Sequence, residues 1–324
     1  MAAPLQLIPL LEPVRPDLQR VARLLQKRVA AVKEPLGSRL RSVLSGGKLL
    51  RSALVILGGR VLGAPIEPFY TLAAAVEVLH TATLIHDDLV DGAATRRGHE
   101  TIHTTWPMGA TVLTGDYLLA RSAALVAELG RPCLLGIFAA TLCTICTGEI
   151  RQMFATPEEQ RNRDTYYRHI EAKTASLCAA GMQMAGLLGG AGELQVTAMR
   201  RFGLEFGLAF QIADDVLDLT MDEARLGKPA GSDLRQGLVT LPTLYYLEQV
   251  EDDAAVSAVL SGRRDEHSVQ AAIEAVRTSG AIDAALAQAH AHARQSQAAL
   301  LALPENGSRH TLHALAQFAV DRRR

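Results

Sequence analysis

The run DLQRVARLLQKRVAAV, from Asp17 to Val32, repeats apolar residues three and four positions apart. That is the period of a helix with one buried face, and Pro35-Leu36-Gly37 closes it. GGK at 46 to 48 opens the next helix, GAPIEPF at 63 to 69 is a turn, and residues 70 to 91 form a long apolar helix ending in acids. The same period, cut by Gly and Pro, predicts helices over about 107–129, 132–154, 164–189 and 193–221. GAATRRGHET has glycines and no apolar period, so it reads as a loop, and LGKPAGSDLRQGLVTLP reads as an ordered loop. The last seventy residues, Ala-rich and interrupted by SGRRDE and LPENGSRH, read as peripheral helices. There is no 20–50-residue repeat, linker or low-complexity tail, so the expectation is one all-α domain over residues 1–324.

Composition supports that reading. Hydrophobic residues make up 48% of the chain and aromatics only 4%, an Ala/Leu-rich mixture that favours helices over strands. A net charge of -1 gives no electrostatic case for nucleic acid, so any anion must be bound by a local cluster. The N-terminal MAAPLQLIPLLEPVRP lacks the basic start and long apolar core of a secretion signal. With four cysteines (Cys133, Cys143, Cys146, Cys178) set in apolar helical text, it points to reduced thiols and a cytoplasmic location. Cys143 and Cys146 spell C-x-x-C without a second pair or a strand, and they read as core positions of a helix. PCLLGIFAATLCTICTG is short for a membrane span, and it reads as a buried helix.

Chemistry enters with the acids. Asp87, Asp88 and Asp91 close one apolar helix, and Asp214, Asp215 and Asp218 close another well over a hundred residues later. In each cluster the first and last acids are four apart and share a helical face. Like charges at that spacing cost about 0.2–0.5 kcal/mol per pair, and at a helix C-terminus they also oppose the macrodipole. A bound cation relieves both penalties. All-oxygen ligands suit Mg²⁺, which keeps waters and bridges to phosphate, so a di- or triphosphate substrate is implied. Cations stand where such a substrate needs them: Lys48 and Arg51 behind two glycines, Arg96 and Arg97 after the first cluster, then Lys173 and Lys228.

A second metal pattern overlaps this region. His99-Glu-Thr-Ile-His103 has the letters of a zinc peptidase, which needs both histidines one turn apart on a helix. Here Gly98 precedes it and threonines crowd it, so it reads as coincidence. His86 reads as a packed neighbour of the acids. His290 and His292, two apart, share no helical face and read as surface.

Six blocks in order carry a resemblance along most of the chain: GGKLLRS, EVLHTATLIHDDLVDGAATRRG, TGDYLLARS with TGEIRQ, AKTASL, FGLEFGLAFQIADDVLD and LGKPAGSDLRQGLVTLP. The sequence resembles the trans-type isoprenyl diphosphate synthases, the polyprenyl synthetase family. The resemblance implies an all-α isoprenoid-synthase-type bundle around a central cavity, a homodimer, and Mg²⁺ as cofactor, three ions with substrate bound. It implies that isopentenyl diphosphate is held by Lys48, Arg51, His80 and Arg97. The allylic diphosphate falls to Arg96, Lys173, Thr174, Gln211 and Lys228. Asp87 and Asp91, with Asp214 and Asp218, are the implied metal ligands, and Asp88, Asp215 and Lys173 complete the implied catalytic set. Leu49 and Ser52 depart from the family's GGKRxRP, and Leu238 stands where many relatives have a lysine that contacts the allylic phosphate.

The implied reaction is ionisation of the allylic diphosphate, attack by the isopentenyl double bond, and loss of a proton. Product length becomes a packing question along the helix below Asp87, past Thr83, Ala82, Leu79 and Val76. Small residues at Thr83 and Ala82, where short-chain relatives often have an aromatic, imply about thirty to fifty carbons, such as a quinone side-chain precursor. A short-chain farnesyl or geranylgeranyl synthase is the alternative. Two rivals are weaker. A non-catalytic partner subunit tends to lose the acidic clusters, and a terpene cyclase lacks the GGK…R element.

Overall fold

The middle of the helix Glu67–Val90 buries every residue from Leu72 to Leu79. A helix apolar all round belongs at the centre of a bundle. Glu77, the one acid in that buried stretch, accepts from the Ser52 hydroxyl at 3.2 Å, which ties the helix to the neighbouring Leu50–Val61. The computed structural model describes residues 2–44, 47–96, 99–221, 230–250, 253–263 and 265–322.

Around the central helix stand Met108–Ala127, Pro132–Met153, Ser176–Leu188 and Gly307–Asp321, which share one apolar core with it and with Leu50–Val61. A second apolar cluster joins the 28-residue helix Glu193–Thr220 to Leu241–Gln249, Glu266–Thr278 and Ala281–Ala299. Strand among the described residues is confined to an antiparallel hairpin of Thr95–Arg96 and His99–Glu100. The bundle is all-α, as its apolar period predicts.

Four details differ from expectation. The hairpin lies inside the predicted loop, and its two-residue strands are too short to carry a period. The predicted loop after residue 229 contains a short helix, Ser232–Gln236, set between Gly231 and Gly237 at φ 66° and 81°, left-handed turns that glycine makes without strain. The Ala-rich Ala281–Ala299 is not peripheral, for Ala281, Ala285, Ala289 and Ala293 are buried where small side chains allow close packing. Finally, Pro132–Met153 is not a buried helix. It buries a single stripe (Leu134, Phe138, Thr141, Ile145 and Gly148), leaving Cys133, Cys143 and Cys146 exposed and only Cys178 in the core. The composition of that helix sets its hydropathy but not which face meets protein.

Candidate active site

The helix Glu67–Val90 delivers Asp87, Asp88 and Asp91 to its C-terminal end, where the Asp91 N–H still bonds the Asp87 carbonyl at 2.8 Å. The hairpin then folds back, and Arg96 Nε donates to Asp88 Oδ1 at 2.5 Å. Thr101 Oγ1 pins the return by donating to the Ala93 carbonyl at 2.6 Å. Burial pushes the Asp87 carboxyl up from 3.8 to about 6, with Lys173 opposing the rise and Glu149 and Asp91 adding to it. Burial also raises Asp88, against the pull of Arg96. Asp91 is exposed.

Facing this end is an irregular turn. Residues 163–188 run as a helix except at Glu171–Ala175, a π-helical turn of the kind that recurs at functional sites. Two glycines let it sit close between helices. A Cβ on Gly148 would meet that of Ala172 at 2.4 Å, and one on Gly207 would meet Ala175 Cα at 2.4 Å. So seated, Lys173 Nζ donates to Glu149 Oε2 at 2.8 Å in the field of Asp87 and Asp91. Burial lowers the Lys173 ammonium's hold on its proton, but the surrounding acids outweigh it and the group is raised overall. The next residue turns the other way, and Thr174 Oγ1 donates to Gln211 Oε1 at 2.7 Å on the helix of the second cluster. Neighbouring residues of one turn therefore face the two aspartate rows, Lys173 through Glu149 in the field of Asp87 and Asp91, and Thr174 through Gln211.

The second cluster is not a copy of the first. Asp214 has a side chain 42% exposed, and its Oδ1 accepts from Arg322 Nη1 at 2.7 Å. Arg322 also donates to the Phe210 carbonyl at 2.9 Å and lies 3.9 Å over the Phe210 ring. Asp215 is buried, accepting from Gln211 Nε2 at 2.8 Å and from the Tyr166 hydroxyl at 2.7 Å, and burial raises it well above the carboxylate range. Asp218 is buried too. Its oxygens accept from Ser232 Oγ and the Asp233 N–H, both at 3.1 Å, and so hold the 230–237 segment.

Of the remaining expected site residues, Lys48 is exposed, while Arg51 Nη1 lies 3.1 Å from His80 Nε2. Leu49, at φ 50°, holds a left-handed conformation that a leucine rarely adopts, between the two cations. Arg97 and Lys228 lie outside the described residues. Val76, Leu79 and Ala82 are fully buried, and Thr83 is half-buried with its hydroxyl donating to the His80 carbonyl at 2.8 Å. Leu238 lines a cavity of about 910 Å³ with Gln152, Arg168 and His169, on the flank of the Lys173 turn.

The histidine motif is split. His99 is in the hairpin, whereas His103 belongs to the short helix Ile102–Thr105, so the two do not share one helical turn. His86 packs over Gly115, its Nε2 3.2 Å from the Val112 carbonyl. His292 corrects the surface expectation, being largely buried with Nδ1 2.7 Å from Glu205. Sequence reading missed Glu149, Tyr166 and Arg322. Glu149 sits inside the TGEIRQ block, a lone acid with no second one beside it to mark it, and the other two carry no local signal.

A divalent cation fits this chemistry. Among the described residues no three acidic, histidine or cysteine side chains form a group able to hold a metal alone. Magnesium asks for less: one or two carboxylates, the rest being water and phosphate oxygen. Asp87 and Asp91 on one side and Asp214 on the other offer hard oxygens of that kind, and a bound cation would relieve the penalty that burial places on the Asp87 carboxylate.

Comparison with known proteins is consistent along most of the chain. Residues 33–276 match the family model for polyprenyl synthetase. Heptaprenyl diphosphate synthase component 2 of Geobacillus stearothermophilus is 39% identical over 303 residues, 93% of this chain and 94% of that one. Nonaprenyl diphosphate synthase of Mycobacterium tuberculosis is 34% identical over 313 residues, 95% of this chain and 93% of its own. Polyprenyl synthase from Caulobacter crescentus CB15, solved with calcium and isoprenyl diphosphate, superposes with a TM-score of 0.90 at 36% identity, covering 97% of each chain.

Proposed function

Because the chain belongs to the polyprenyl synthetase family and is a prenyltransferase, we propose that it is a Mg²⁺-dependent trans-polyprenyl diphosphate synthase. In this reading it condenses isopentenyl diphosphate head-to-tail onto an allylic diphosphate, building about thirty to fifty carbons for a quinone side chain. The observation that supports it most is the π-helical turn, where Lys173 reaches Glu149 beside Asp87 and Thr174 reaches Gln211 beside the second cluster. A diphosphate seated over that turn meets both acidic rows at once.

Asp87, Asp91, Asp214 and Asp218 would hold magnesium, three ions with substrate bound, which neutralises charge on the departing diphosphate. Asp218, expected as a fourth ligand, also anchors the 230–237 segment by accepting one hydrogen bond on each oxygen, and a carboxylate oxygen so engaged keeps a lone pair for a cation. Lys173, Arg96 and Lys228 neutralise the same diphosphate, and Thr174 and Gln211 orient it. The allylic C–O bond breaks and its electron pair leaves with the diphosphate. Lys48, Arg51, His80 and Arg97 hold isopentenyl diphosphate so that its double bond supplies the pair for the new C–C bond. A proton then passes to the released diphosphate. The growing tail runs past Thr83, Ala82, Leu79 and Val76, where burial keeps water from the cation.

We place the enzyme in the cytoplasm as a homodimer. The packed pair Met108–Ala127 and Pro132–Met153 exposes Leu113, Leu135 and Ile150 at 68%, 39% and 55%, an apolar face that a second copy would cover. A second reading, work with an unlike partner chain, is favoured by the relative named as a component 2. One experiment separates the two. Purified chain is given labelled isopentenyl diphosphate, each allylic primer and Mg²⁺, and the extracted alcohols are sized. Long products from the chain alone support the proposal. No product from any primer removes it, and product only after a partner is added favours the second reading.

A further inference from the structure

We infer that Glu149 is a positioning residue, which holds the Lys173 ammonium at the diphosphate and away from Asp87. This rests on the function proposed above. Lysine carries its charge on a flexible four-carbon stem, so a fixed acceptor is needed if the ammonium is to wait in one place. Three carboxylates compete for it: Glu149, Asp87 and Asp91. Closing on Asp87 would set Lys173 against the cation that Asp87 is proposed to bind. The 2.8 Å bond to Glu149 draws it aside instead.

The backbone is built for this pairing. Gly148, one residue before Glu149, admits Ala172, one residue before Lys173, at a distance no side chain would allow. Helix and π-helical turn are thereby locked at adjacent positions, and the ion pair forms across the lock. The Glu149 Oε1 is buried with no hydrogen-bond partner among the described residues, which leaves Lys173 as the group that balances this carboxylate. A residue placed in this way should act through Lys173 and not on its own.

A double-mutant cycle tests it with Glu149→Gln, Lys173→Met and the pair combined. The readouts are calorimetric binding of inorganic diphosphate in Mg²⁺ and the separate kcat and KM for each substrate. Loss of one charge-assisted hydrogen bond predicts that Glu149→Gln weakens diphosphate binding about 10- to 100-fold. The KM for isopentenyl diphosphate should stay within about twofold. In the Lys173→Met background the Glu149 substitution should change neither readout further. Losses that multiply in the double variant would make Glu149 an independent ligand, of metal or substrate, and overturn the inference. Wild-type binding in Glu149→Gln would overturn it as well. If Glu149→Gln does not fold, Glu149→Asp, which keeps the charge and withdraws it by one methylene, reads the same cycle. Failure of the wild-type protein to bind diphosphate with Mg²⁺ would instead remove the proposed function.

Discussion

Replacing Asp87 with asparagine should make the protein more stable while abolishing its turnover. Burial holds the Asp87 carboxyl at about 6 against an ordinary 3.8, so the folded chain keeps a proton that the unfolded chain releases. The group's folded value is raised, so its stabilising effect is greatest in acid and is lost as pH climbs from about 4 to about 6. At about 1.36 kcal/mol per pH unit, the ionised carboxylate costs about 3 kcal/mol at most by pH 8 and roughly half that at pH 5. Asparagine copies the neutral form and escapes the penalty. For 324 residues the unfolding entropy is about 0.7 kcal/mol per kelvin, so the variant should melt roughly 4 °C above wild type at pH 8. Melting followed by circular dichroism in EDTA, at pH 5 and pH 8, measures this. The reasoning fails if the variant melts at or below wild type at pH 8, or if its advantage does not shrink at pH 5. Added Mg²⁺ with diphosphate should raise wild-type melting more than the variant's, since one of the ligand carboxylates is gone.

The rest of the site carries four further expected outcomes. Asp214→Ala should cut turnover by several orders of magnitude with the helical spectrum intact. Asp215→Ala, one residue on, should lower unfolding free energy in urea by about 2–4 kcal/mol, because Tyr166 and Gln211 lose their acceptors. Ala82→Phe or Thr83→Phe should shorten the sized product alcohols, and an unchanged distribution in both variants would refute the proposed path of the tail. Arg322→Ala should cost about 1–3 kcal/mol in the same urea assay, since it removes a charged hydrogen bond to Asp214 and a guanidinium stacked on Phe210.

Legibility in the sequence tracks the range of the interaction. The long helices are readable because their signal is local: a period, a breaker, an acid at the end. The acidic clusters are readable for the same reason, each being compressed into five residues. What escapes is set by contacts distant in the chain. Arg322 reaches Asp214 across 108 positions, and Tyr166 reaches Asp215 across 49. No window of sequence holds either pair. The helix Pro132–Met153 shows a different limit, since its hydropathy says that it avoids water but not whether this chain or another body shields it. His292 is misread because helical spacing describes neighbours on one helix, and its partner Glu205 is on another.

The same limit explains why one letter pattern, D-D-x-x-D, produces two different structures. In the first cluster the chain leaves the helix just past the last acid, so Asp91 is exposed, and the returning hairpin brings Arg96 onto the middle acid, Asp88. In the second, the helix continues to Thr220, and residues 230–237 lie back over its last turn. Asp218 is covered and becomes the acceptor for that segment, Asp215 is turned inward to Tyr166, and only Asp214 is left facing out. The difference comes from the chain packed over each helix end, not from the motif. Ion count and geometry argued from the letters alone would assign the two rows equal parts. Burial sets them apart: Asp91 is exposed in the first row, whereas in the second Asp215 and Asp218 are buried acceptors of hydrogen bonds and Asp214 alone is left open.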